Sequence, residues 1–112
     1  MRWILVTASF GSQNFHDAAK RVIKQGENLN LFYSYIHVHE ENLSEFAPIT
    51  LINYRELLNS SIPGYGYFAW KPEIVDTVLK LYPDCGVVYI DAGCELNHKT
   101  IAQLGDRIKT QH

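Results

Sequence analysis

Residues 3–38 spell strand, helix, strand, and no other feature of the chain restricts its fold as much. Trp3-Ile4-Leu5-Val6-Thr7 is a short aliphatic and β-branched run that stops at the small residues Ala8-Ser9-Phe10-Gly11-Ser12, the pattern of a buried strand feeding a loop. Phe15, Ala18, Ala19, Val22 and Ile23 then recur at the spacing of one helical face, with His16, Lys20, Arg21 and Lys24 on other faces. Ser12 or Asn14 is available as the cap, and Gly26 is expected to end the helix. Residues 31–38 are aromatic and β-branched and predict a second strand. Parallel strands need a long crossover, usually a helix, so this order argues for a parallel βαβ unit.

The remaining chain extends the pattern. After a polar stretch at residues 40–45, Pro48-Ile49-Thr50-Leu51-Ile52 predicts a short strand, followed by a brief helical piece around residues 54–58. Residues 59–67 mix turn chemistry with aromatics and read as a packing or functional loop. Pro72 suits the first turn of a helix whose buried side is Ile74, Val75, Val78, Leu79 and Tyr82, with Pro83 stopping it. Val87-Val88-Tyr89-Ile90 ends abruptly at Asp91-Ala92-Gly93-Cys94-Glu95, as a central strand does when it delivers polar residues to its carboxyl edge. A last helix is expected from Asn97, with Ile101, Leu104 and Ile108 on one side. At 112 residues and 46% hydrophobic, the chain can build one core. The expected fold is a single α/β domain over 1–112, Rossmann-like, with a mostly parallel sheet of three or four strands flanked by helices.

Composition excludes several classes. A net charge of −2, with the basic residues dispersed, disfavours a nonspecific nucleic-acid binder. Cys85 and Cys94 can make neither a disulfide scaffold nor a four-thiolate zinc site, and their spacing is not that of a redox pair. No apolar run approaches a membrane span and no signal peptide is evident, so a soluble, cytoplasmic location is expected. No Gly-Lys-Ser/Thr phosphate loop occurs, which disfavours an ATPase.

The chemistry concentrates in two places: the turn Gly64-Tyr65-Gly66-Tyr67-Phe68-Ala69-Trp70-Lys71-Pro72 and the strand end Tyr89-Ile90-Asp91-Ala92-Gly93. An acid at the carboxyl end of a buried parallel strand sits where open α/β sheets bind ligands. Hard divalent cations such as Mg²⁺ or Mn²⁺ combine one or two carboxylates with phosphate oxygens of a bound nucleotide, which makes Asp91 the leading metal candidate. The competing reading is that Asp91 caps the following turn. Lys71 is either a phosphate-neutralising cation or a solvated lysine at a helix entrance.

Together these features resemble the nucleotide-sugar-binding half of a GT-A type glycosyltransferase. In that family a helix-leading segment with a basic residue lies beside a strand ending in Tyr-hydrophobic-Asp-x-Asp, and here Gly66-Tyr67-Phe68-Ala69-Trp70-Lys71-Pro72 is followed by Val87-Val88-Tyr89-Ile90-Asp91-Ala92-Gly93-Cys94. Ile4-Leu5-Val6-Thr7-Ala8-Ser9 looks like the first strand and nucleoside-contacting loop of such enzymes. The resemblance implies a nucleotide-diphosphate sugar donor, a divalent cation (Mn²⁺ or Mg²⁺), and transfer of the sugar to an acceptor hydroxyl. It places Asp91 at the first acidic position of the metal motif, contacting the cation or the ribose, and Lys71 at the basic position that neutralises phosphate. Thr7, Ser9 and Phe10 would line the nucleoside pocket, with Phe10 or Tyr67 offering a stacking face. Gly93 stands where the family has its second acid, so metal binding is expected to be weaker, to use Glu95, or to be absent. The family also has a second half, carrying the acceptor site, beyond the metal motif; the chain is therefore expected to be an incomplete enzyme or a non-catalytic α/β nucleotide-binding or protein-interaction module. Apolar residues Ile101, Leu104 and Ile108 would then face a surface otherwise covered, and self-association into a homo-oligomer is expected.

Two further signals are weighed and set aside. Gly64-x-Gly66-x-x-Ala69 fits a dinucleotide fingerprint, with Asp84 or Asp91 downstream, but it does not directly follow the first strand. His37-x-His39-x-Glu41 would align two imidazoles and a carboxylate on one strand face, without an evident further ligand. His16, His98 and His112 are expected on polar faces or at the terminus, and Cys94 has no legible His-Asp partner arrangement.

Overall fold

In a computed structural model the chain forms an α/β fold; residues 2–59, 61–62 and 69–93 are described. Strand β1 (Arg2–Ala8) is followed by helix α1 (Gln13–Leu29), strand β2 (Ser34–Val38), short helices α2 (Leu43–Phe46) and α3 (Pro48–Asn53), a 3₁₀ turn (Arg55–Leu57), helix α4 (Trp70–Leu81) and strand β3 (Cys85–Tyr89). The sheet has the order β2-β1-β3, and β1 pairs in parallel with both neighbours. Ile4, for example, lies opposite Ser34 on one side and Val87 on the other.

Side-chain alternation along β1 sorts the core into two layers. Ile4, Val6 and Ala8 pack with Val38, Leu43, Trp70, Ile74 and Val78, the side covered by α2 and α4. Leu5 packs with Val22 and Val88, beside Trp3, Ile23 and Tyr35, the side covered by α1. Helices on both faces of a parallel sheet, with strand order reversing across β1, make a Rossmann-like arrangement. Two glycines are required by this packing. A Cβ on Gly26 would collide with Leu5, and one on Gly86 would collide with the Trp3 ring, its cross-strand neighbour.

The structure corrects several local expectations. Helix α1 runs through Gly26 and ends at Leu29, with Asn30 in the left-handed conformation as its cap, because Gly26 serves close helix–sheet approach rather than termination. Ser12 is the N-cap, its side chain accepting from the Phe15 N–H. Strand β2 starts at Ser34 rather than Leu31. Residues 48–53 form helix α3 instead of a strand: Pro48 opens it, and the Glu73 carboxylate of α4 accepts from the backbone N–H groups of Ile49 (2.9 Å) and Thr50 (2.7 Å). Thr77 donates to the Phe46 carbonyl at 2.7 Å, so α4 organises both short helices through its own polar side chains. On α4, Ile74 and Val78 are buried as expected, whereas Leu79 is exposed. Among the described residues no helix is long and apolar enough to cross a membrane. The expected helix from Asn97 lies outside the described residues.

Candidate functional site

Two polar constellations occupy the carboxyl edge of the sheet, one toward each helical layer. The first joins α4 to the end of β3. Trp70, 4% exposed, anchors the start of α4 by packing on Phe10 (ring centroids 4.8 Å apart) and Tyr89 (6.4 Å). That anchor sets the adjacent Lys71, whose Nζ lies 4.5 Å over the Tyr89 ring and 3.4 Å from Asp91 Oδ1. With side chains 39% and 56% exposed, the ion pair contributes about 0–1 kcal/mol and is cheaply opened by a competing charged ligand. Burial first, and the Asp91 carboxylate second, push the Tyr89 phenol far above its ordinary range, with the Ala8 backbone acting the other way. Tyr89 is thus a neutral platform beneath the charged pair.

The second constellation joins β1, α1 and β2. Ser9 Oγ lies 2.7 Å from His16 Nδ1 and 2.6 Å from His37 Nε2, while His16 Nε2 is 3.4 Å from Glu40 Oε1. Glu40 also accepts from the Gly11 N–H at 3.2 Å, and the Ser9 N–H donates to the Val38 carbonyl at 2.9 Å. Asn42 fixes the end of β2, accepting from the His39 N–H and donating to the His37 carbonyl. Partner chemistry assigns the protons. A carboxylate only accepts, so His16 carries its hydrogen on Nε2 and accepts a hydrogen bond from the Ser9 hydroxyl at Nδ1; His37 Nε2–H then donates to Ser9 Oγ. Burial, followed by His39, His16 and Lys20, lowers the His37 pKa to about 4, with Glu40 opposing.

The sequence-predicted residues are therefore divided between the two faces. Asp91 and Lys71 are brought together, 3.4 Å apart. Thr7, Ser9 and Phe10 stand at the same edge, yet all three are buried: Thr7 beside its cross-strand neighbour His37, Ser9 between the imidazoles, and Phe10 against Trp70. In this conformation none of them offers an open pocket wall. The Thr7 hydroxyl has no hydrogen-bond partner among the described residues. Gly93 faces open space, so a side chain there would meet nothing within 4 Å. Tyr67 and Glu95, the stacking and substitute-ligand candidates, lie outside the described residues, as does most of the aromatic turn.

His37 and His39 do approach, with ring centroids 5.2 Å apart, but His39 Nδ1 is taken by the Glu41 backbone N–H. Among the described residues no group of three or more His, Cys, Asp or Glu side chains could hold a metal ion. His16, expected on a polar face, is instead drawn into the Ser9 cluster. Its spacing from Ser9 is a loop-plus-turn offset that no single periodicity reports, although a serine just after a strand and a histidine in the next helical turn were available as a signal.

The described residues define a small α/β fold with a three-stranded parallel sheet, compatible with a Rossmann-like arrangement. The chain matches no protein-family model, no curated protein and no solved structure.

Proposed function

We propose that this chain is the nucleotide-sugar-binding half of a GT-A type glycosyltransferase. The observation that carries the reading is the Lys71–Asp91 pair at the carboxyl edge of β3, next to the β1 loop. An ammonium and a carboxylate held side by side on a neutral aromatic are the two partners a metal-bound diphosphate needs: the lysine for phosphate oxygen, the acid for the cation or the ribose. Because the pair is half-exposed, an incoming diphosphate can draw Lys71 away and free Asp91.

The donor set bears on the cation. Asp91 supplies one carboxylate and Gly93 supplies none, so Mn²⁺ or Mg²⁺ would be held only with phosphate oxygens completing its shell, with Glu95 as the further candidate. When bound, the cation would stabilise charge on the leaving nucleoside diphosphate while an acceptor hydroxyl attacks the sugar. Lys71 would neutralise phosphate and Tyr89 would keep both charged groups on the sheet edge. The Lys71 contact also favours the alternative, a non-catalytic module that binds a nucleotide or a protein without turnover, because it satisfies Asp91 with no metal at all.

Titration calorimetry of UDP, GDP and their sugar conjugates, with and without Mn²⁺, tests the proposal. The expected result is binding that requires Mn²⁺, is abolished by Asp91→Asn and is weakened about tenfold by Lys71→Ala, a loss of about 1.4 kcal/mol. Mn²⁺ alone should not bind measurably. A folded sample that binds none of these ligands would overturn the donor reading in favour of the non-catalytic module.

A further inference from the structure

The Ser9 cluster gathers three partly buried imidazoles and one lysine about the end of β2, with a single carboxylate, Glu40, acting against them. His16 and Lys20 come from α1, and His37, His39 and Glu40 from the end of β2 and the residues after it; these are the charged and titratable groups that act on His37. Ring centroids of His16 and His37 are 6.4 Å apart, and those of His37 and His39 are 5.2 Å apart. Ser9 Oγ, in a residue 3% exposed, has one proton and two imidazole neighbours, so the neutral arrangement satisfies the hydroxyl both as donor and as acceptor. This cluster ties the β1–α1 loop to the end of β2 together with the backbone bond from the Ser9 N–H to the Val38 carbonyl. Gly11, in that loop at φ 95°, donates to Glu40, the same carboxylate that orients His16.

We propose that Ser9, His16 and His37 form an acid-sensitive latch: with His37 neutral they hold the β1–α1 loop against the end of β2, and protonation of His37 releases it. A proton on His37 adds a cation on a partly buried ring facing His16, His39 and Lys20, where burial and these neighbours disfavour the charge. Opening the loop hydrates the imidazolium and separates it from α1. Closed and open forms therefore bind protons differently, and acid shifts the population toward the open one. Between the ordinary histidine range and the His37 value of about 4, each pH unit multiplies the open fraction by about ten. The latch is independent of the nucleotide-sugar reading.

Amide hydrogen exchange of Gly11 and Ser9 in the intact chain reads the latch directly. Intrinsic exchange slows in proportion to hydroxide as pH falls, so a loop gated by one proton exchanges at a nearly constant rate between pH 6 and 4.5, while an ungated loop slows in step with pH. Constant rates at Gly11 are expected in the native chain. In His37→Gln, whose side-chain amide keeps a donor for Ser9 without titrating, the rates should fall with pH. Long-range ¹H–¹⁵N imidazole spectra of the native chain require no variant: His37 should stay neutral, with its hydrogen on Nε2, down to pH 5. Gly11 rates that fall with pH in the native chain, or a His37 ring that titrates near pH 6.5, would overturn the proposal.

Discussion

Single residues at the sheet edge differ sharply in what a substitution does. Thr7 is fully buried with an unpartnered hydroxyl among the described residues, so Thr7→Val replaces an orphaned polar atom by a methyl of the same shape. An unsatisfied buried hydroxyl costs about 1–3 kcal/mol, and its removal should leave stability unchanged or raise it by about 1 kcal/mol in urea denaturation. If the threonine instead contacts a nucleoside, the same variant should weaken UDP binding in calorimetry while remaining stable, so one substitution separates a packing role from a binding role. Gly93 allows the reverse experiment. Its position faces open space and its backbone is outside the left-handed region, so Gly93→Asp restores the second acid of the resembled motif without a clash. The variant should bind Mn²⁺ about tenfold more tightly than the native chain in the presence of UDP, read by calorimetry.

At the scale of elements, the chain's periodicity was most legible where each element meets the sheet directly. The apolar stripe of α1, the Ser12 cap and the run at residues 87–90 are local patterns, and most of each reappears: the Ser12 cap forms, Ala19 and Val22 of the α1 stripe are buried although Phe15 is exposed, and the first three residues of the run lie in β3. Residues 48–53 were not legible in this way. Their β-branched residues favour a strand, and what makes them a helix is Glu73, a residue of a distant element, supplying the N-terminal hydrogen bonds that the segment itself lacks. The site divided similarly: Lys71 in the first turn of α4 and Asp91 just past β3 flank elements with plain apolar patterns, whereas the Ser9–His16–His37 cluster depends on three segments converging and escapes any linear spacing. The same long-range dependence makes Glu73 testable. Burial pushes its carboxyl up, but hydrogen bonds from the Thr50 side chain and backbone and the Ile49 backbone outweigh this and hold it below the usual range. Glu73→Gln removes the charge from those bonds and should cost about 1–2 kcal/mol in chemical denaturation. Because the folded pKa is depressed, this contribution is present above the ordinary glutamate range and lost as pH falls through the folded value. The difference between native and Glu73→Gln proteins should therefore vanish in acid.

The whole molecule sums these local titrations into one stability profile. His37 has a folded pKa of about 4 against an ordinary 6.5, so between those values the unfolded chain binds more protons than the folded one. Stability is insensitive to this group above pH 6.5 and falls as pH drops toward 4; because the ring is only partly buried and water screens its charge, the loss is on the order of 1–2 kcal/mol. Glu73 adds its loss at the lower end of the same acid limb. On the alkaline side, burial raises the folded pKa values of Tyr89 and Tyr35, so stability held below pH 10 is lost as pH rises through the shifted values. The expected profile, measured by urea denaturation across pH 4–11, is a plateau from about pH 6.5 to 10 with a limb on each side. His37→Gln should flatten the upper part of the acid limb and leave the alkaline limb in place. A native acid limb that begins only below pH 4.5 would mean that Glu73 and the other carboxylates carry it, and that the partly buried His37 imidazole at the sheet edge contributes nothing to the global balance.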